Sequence, residues 1–186
     1  MKRQTIWKIV FVGVVMMLIG ILPAHSLYAA TAKEIDVSVD AALERFYKEV
    51  KGAQEFMNAA KGVLVLPKVI KGGFVVGGEY GEGALRIGGK TVNYYNIASA
   101  SFGLTIGGEQ KDIIVIFMRE DALNKFRASK NWEAGVDGNI ALINLGAGAT
   151  VDTKTIKDPI VGFVFGVKGL IADASFKGSK LTKLEK

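Results

Sequence analysis

Glu79, Glu82 and Glu109, with a scatter of lysines, are the residues of this chain whose types could do chemistry. Two close carboxylates could serve acid–base hydrolysis, and three could contribute to a calcium site, which takes about six to eight oxygen ligands. None of the three has the spacing of a calcium loop, and "VDGN" at Val136 to Asn139 bears only a faint likeness to one. Solvated turn positions are the expectation for these glutamates. Ser99, Ser101 and Ser175 stand in neither a nucleophile-elbow nor an S-x-x-K setting, so serine catalysis has no support. The one histidine is His25, and cysteine is absent. His25 falls in a segment read below as removed, which leaves a chain with neither residue type. That excludes serine–histidine triads, cysteine proteases, typical zinc sites, disulfides and a lipidated cysteine. No catalytic residue, metal or cofactor is expected.

Lysines are the remaining polar theme. Lys61, Lys68 and Lys71 flank the first strand-like runs, and Lys177, Lys180, Lys183 and Lys186 stud the C-terminal stretch, opposed there only by Glu185. Such clusters are attracted to anionic lipid surfaces at about 1 kcal/mol per side chain; they also serve as ordinary solubilising charge. There is no arginine-rich stripe with interleaved aromatics, so nucleic acid is not an expected partner.

The elements that must position these groups fall into three stretches. Lys2, Arg3 and Lys8 precede an apolar and glycine run from Ile9 to Leu22, broken by Pro23 and followed by small residues. This is the layout of a secretory signal peptide, expected over 1–32 and cut after Ala30-Thr31-Ala32 or a few residues earlier. An uncleaved anchor is the alternative, although the run is shorter than the roughly 20 residues that span a membrane. The chain is therefore expected to be exported, periplasmic or secreted, and peripheral on a membrane if it meets one. Removing 1–32 lowers the formal charge from +6 by three.

Residues 33–186 read as one domain. Residues 33–60 are expected to be helical, with Ser38 or Asp40 as cap and Leu43, Phe46, Tyr47 and Val50 on one face covering the core. From 62 to 181 short apolar runs alternate with glycine turns, as strands do. "DIIVIFM", Asp112 to Met118, reads as a strand buried on both faces. Gly88-Gly89-Lys90 reads as a hairpin turn, and "REDALNKFRASK" as an inserted helix with Leu123 and Phe126 toward the core. Eight glycines lie in "IKGGFVVGGEYGEGALRIGG", Ile70 to Gly89. A phosphate-cradling loop would lead into a helix; strand follows here, so the glycines are expected to bend a sheet. The expected fold is α+β: N-terminal helices packed on a strongly curved, glycine-rich antiparallel sheet or partly closed barrel, with one short inserted helix.

"AKGVLVLPKVIKGGFVVGGEYGEGAL", "NIASASFGLTIGGEQKDIIVIFM", "DALNKFRASKNWEAGVDGNIALINLGAGA" and "KGLIADASFKGSKL" occur in that order. Together, over about Ala59 to Leu181, they resemble the SYLF domain family. The chain departs from the family's pattern at Val164-Phe165, where a Tyr-Ser pair is common, and at Asp173, where a glycine is common. The resemblance implies a non-enzymatic lipid-binding module. Eukaryotic members are linked to phosphoinositide membranes and actin, and anionic phospholipid is the ligand that transfers most readily to an exported chain. Lys68, Lys71, Lys168, Lys177 and Lys180 are the expected headgroup contacts, with envelope protein partners unspecified. The competing reading is a small outer-membrane or envelope barrel without a specific ligand.

Overall fold

Thr31 starts the first described helix, α1 (Ala32–Glu49), in a computed structural model that describes residues 30–74, 76–102, 107–144, 157–169, 176 and 178–186. The expected signal segment lies almost wholly outside these residues. The Thr31 hydroxyl accepts from the Glu34 N–H at 3.3 Å, and the Glu34 carboxylate accepts from the Thr31 N–H at 2.8 Å. This reciprocal pair satisfies two donors that the helix leaves open, and it displaces Ser38 and Asp40 from the expected capping role. Starting the helix earlier also turns its buried face to Ile35, Val39, Ala42 and Phe46, leaving Tyr47 45% exposed. The stripe covers the core as expected, with a different membership. Thr31→Ala is predicted to cost about 1 kcal/mol, seen as a lower urea midpoint at unchanged slope. The second helix, α2 (Ala53–Ala59), begins at Gly52, whose φ of 85° breaks the expected helical stretch in two.

Among the described residues eight strands follow: β1 (Gly62–Phe74), β2 (Val76–Ile87), β3 (Lys90–Phe102), β4 (Gly107–Phe117), β5 (Asn131–Glu133), β6 (Ala141–Asn144), β7 (Ile160–Gly169) and β8 (Lys180–Leu184). The inserted helix α3 (Glu120–Ala128) stands between β4 and β5. The strands form one curled half-barrel sheet in the order β5-β8-β3-β2-β1-β4-β7-β6. The α+β reading holds, with one departure: β6 runs parallel to β7. Residues 145–156 and 170–175, read as further strand, lie outside the described residues.

The sheet is covered on both faces. On one, Ile35, Val39, Phe46 and Phe56 of α1 and α2 pack on Val63, Val65, Ile114, Ile116 and Phe163. On the other, Leu123 and Phe126 of α3 and Trp132 pack on Leu64, Leu66, Tyr95, Ile97, Val115 and Phe117. Ile113 to Phe117 are at most 1% exposed, because alternate residues feed alternate cores.

Glycine shapes the centre of this sheet. Gly88 and Gly89 turn the β2–β3 hairpin at φ of 57° and 79°, the left-handed values that a two-residue turn requires. A Cβ at Gly83 would stand 1.9 Å from the Val65 carbonyl oxygen, so β2 crosses the bulged part of β1 only without a side chain there. The bulge lies between Val65 and Ile70. At its centre Lys68 has φ of 51°, and its N–H donates to Asp112 Oδ1 at 2.9 Å. Asp112 Oδ2 accepts from Arg45 Nε at 2.7 Å, raising the affinity of that guanidinium for its proton. One buried carboxylate thus ties bulge, sheet and helix. Asp112→Ala strands the Lys68 N–H and the arginine, and is predicted to cost about 2–3 kcal/mol by urea titration; Asp112→Asn, which keeps an acceptor for Lys68, costs less.

Candidate functional site

The central strands outrun the helix that covers them. A 13-residue strand such as β1 is about 43 Å long at 3.3 Å per residue, and the 18 residues of α1 reach only about 27 Å. The surplus sheet carries the exposed Ile70 and Tyr80, which face each other across β1 and β2.

Register extends this pair into a row. Lys168 of β7 stands opposite Gln110 of β4, Gln110 opposite Ile70, Ile70 opposite Tyr80, Tyr80 opposite Ala98 of β3, and Ala98 opposite Lys180 of β8. Directly paired residues share a face, so apolar side chains occupy the middle of the row between Lys168 and Lys180, about 24 Å apart along the sheet at 4.8 Å per strand; beyond Lys180 the row closes on Glu133 of β5. The next row on the same face is Gly108, Gly72, Gly78 and Ala100. Three glycine pairs that look unevenly spaced in sequence, at 72, 77 and 107, are brought into one block with almost no side chains.

The structure therefore sorts the five lysines named above. Lys168 and Lys180 are exposed on either side of the row's apolar middle, and Lys68 is exposed at the bulge beside it. Lys180 Nζ is 4.0 Å from Glu133 Oε2. Lys71 points to the opposite face and is 8% exposed. Lys177 lies outside the described residues. Because φ of 51° favours glycine, Lys68→Gly relieves backbone strain of about 1–2 kcal/mol against a chain-entropy cost of about 0.5–1 kcal/mol. Its predicted unfolding free energy stays within about 1 kcal/mol of the parent's.

On the opposite face, Lys71 pairs in register with Glu79 and Glu109, and Lys111 stands two residues on from Glu109. Lys111 Nζ lies 3.1 Å from Glu79 Oε2 and 3.3 Å from Glu109 Oε1. Glu79 and Glu109 are thus buried strand residues, correcting the expectation of solvated turns. Flanking glycines suggested a turn, whereas the period-two series Glu79, Gly81, Gly83, Leu85 places Glu79 on the same face as buried Leu85. Glu82 is partly exposed and pairs with Lys186 at 3.1 Å. Among the described residues no group of acidic side chains could hold a metal ion.

A groove of about 580 Å³ opens between the start of α1 and the bulge, a size typical of small-molecule sites. Ala30, Ile35, Pro67, Ile70 and the Tyr80 ring make most of its lining, with Glu34, Ser38, Lys68 and Glu82 at its polar positions. Glu34 is committed to the helix cap. The Tyr80 hydroxyl donates to Glu82 at 2.8 Å, and burial, then this bond, pushes its pKa up. Val164 and Phe165, the departure from the family pattern, are each 1% exposed in the two cores.

Residues 98–186 match the Ysc84 family, described as "Las17-binding protein actin regulator". The match bears out the SYLF resemblance from β3 onward. This family is associated with lipid binding and is not a known enzyme family. No curated protein matches the chain.

Proposed function

We propose, starting from a chain that carries a SYLF-family domain, that it is an exported, non-enzymatic module that docks on anionic phospholipid membranes. The row from Lys168 to Lys180 carries this reading. Its exposed Ile70 and Tyr80 meet the apolar boundary of the bilayer, while Lys68, Lys168 and Lys180 meet headgroups, each lysine adding about 1 kcal/mol. Lys71 belongs to the buried charge cluster instead. Actin regulation, named in the family description, needs a partner that an exported chain does not meet.

Export fits the charged, apolar and small-residue order of 1–32, with the cut placed before Thr31. A cut after Ala32 removes Thr31 and with it the helix cap that Thr31 and Glu34 make. The barrel alternative is weaker: among the described residues the sheet is open, with β5 and β6 at its edges, and both faces are covered, whereas a spanning barrel closes and turns one face to lipid.

Vesicle co-sedimentation tests the reading. The protein should pellet with phosphatidylglycerol-containing vesicles and stay in solution with phosphatidylcholine alone; equal, negligible binding to both overturns it.

A further inference from the structure

The groove at the start of α1 has features that surface docking leaves unused. We propose that it receives one acyl chain of an anionic phospholipid, with Lys68 at its mouth holding the phosphate; this rests on the lipid reading above and adds that a single lipid is drawn partly out of the bilayer.

The first argument is charge. Of the charged side chains at the groove, Glu34 is bound in the capping box and Glu82 is bound by Lys186 and the Tyr80 hydroxyl. Lys68 is exposed and, among the described residues, takes part in none of the ion pairs, so it is the cation at the mouth with room for an anionic partner, while Glu34 keeps its charge on the helix side. An anionic head gains a partner in Lys68.

The second argument is position. Lys68 is held at φ of 51°, where glycine would be less strained, and its own N–H is consumed by Asp112. Backbone strain of this kind persists where the surroundings impose it and is concentrated at ligand sites. Pro67 ahead of it and Ile70 after it contribute apolar lining, so the bulge that strains Lys68 also builds the groove wall.

The third argument is continuity. Ile70 lines the groove and also stands in the middle of the exposed row, 61% exposed. An acyl chain passing from a bilayer docked on that row into the groove stays on apolar surface throughout.

The test separates this inference from the reading it rests on. The purified protein is titrated calorimetrically with myristoyl-lysophosphatidylglycerol below its micellar concentration, and separately with phosphatidylglycerol vesicles. Ser38→Phe fills the groove from α1, and Ile70→Ser, at an exposed position, thins its wall without burdening the fold. Parent protein should bind one lysolipid, and either variant should weaken this by about tenfold, as expected for losing some 50–60 Å² of apolar contact. Vesicle binding of Ser38→Phe should remain within about twofold. Lysolipid binding unchanged in both folded variants overturns the groove assignment, as does vesicle binding without any lysolipid binding, and in both cases membrane docking stands. Failure to bind vesicles at all removes docking itself. A dimer in light scattering that Ser38→Phe dissociates assigns the groove to a second copy and overturns the proposal. If Ser38→Phe does not fold, Ile70→Ser alone decides.

Discussion

Replacing Lys111 by alanine is expected to lower the unfolding free energy by about 3–5 kcal/mol, the range for breaking a buried ion pair by removing one partner. Lys111 is 2% exposed and its ammonium lies within 3.3 Å of two carboxylates, Glu79 and Glu109, that are themselves 6% and 3% exposed. Without it, two buried carboxylates, on β2 and β4 with Lys71 of β1 between them in register, are left to share one lysine. The cost comes from the carboxylate left in excess more than from the lost attraction, so neutralising one of the two should repair it. Lys111→Met combined with Glu109→Gln, which leaves Glu79 to Lys71, is expected to recover most of the stability. Urea titration of both variants checks this; a loss below about 1 kcal/mol for Lys111→Ala contradicts the view that the cluster is buried and tightly paired.

Reversing the charge on both sides of the row's apolar middle, in the double variant Lys168→Glu and Lys180→Glu, is expected to weaken binding to phosphatidylglycerol vesicles by roughly a thousandfold. Each lysine near an anionic surface is worth about 1 kcal/mol, and reversal replaces attraction by comparable repulsion, giving about 4 kcal/mol for two sites. Stability should hardly change, since both side chains are exposed and the Lys180 contact to Glu133 is 4.0 Å long. The loss should shrink as salt is raised, because the Debye length falls to about 3 Å at 1 M. Lys125→Glu with Lys130→Glu, on and just after α3 and away from the row, is the matched control and should bind far better than the row variant. Equal weakening by the two pairs would reduce the effect to net charge.

Sequence periodicity exposed the elements but left their partners hidden. "DIIVIFM" reads as a doubly buried strand because six consecutive apolar residues have no polar face to offer water, and burial of Ile113 to Phe117 agrees. Leu123 and Phe126 were equally legible from helical spacing. The cap was missed because a cleavage pattern at Ala30-Thr31-Ala32 competes with the Thr31–Glu34 capping signature in the same few residues. Glu79 and Glu109 were misplaced because a carboxylate between glycines looks solvated, and only cross-strand register reveals Lys111 beside both. Register is also what joins Lys168 and Lys180, remote from Ile70 and Tyr80 in sequence, to one row. Local pattern fixes which way each strand faces, but pairing across the sheet depends on long-range packing that no short window contains.

The face assignment can be measured directly because the chain has no cysteine. A single cysteine placed at Ile70, and in a second protein at Val136, which is 75% exposed away from the row, carries an environment-sensitive fluorophore without competing thiols. On phosphatidylglycerol vesicles the emission of the label at position 70 should shift to the blue, as its surroundings become apolar, and the label at position 136 should not respond. A shift at 136 alone, or vesicle-bound protein in which position 70 stays fully hydrated, would contradict docking through the row between Lys168 and Lys180.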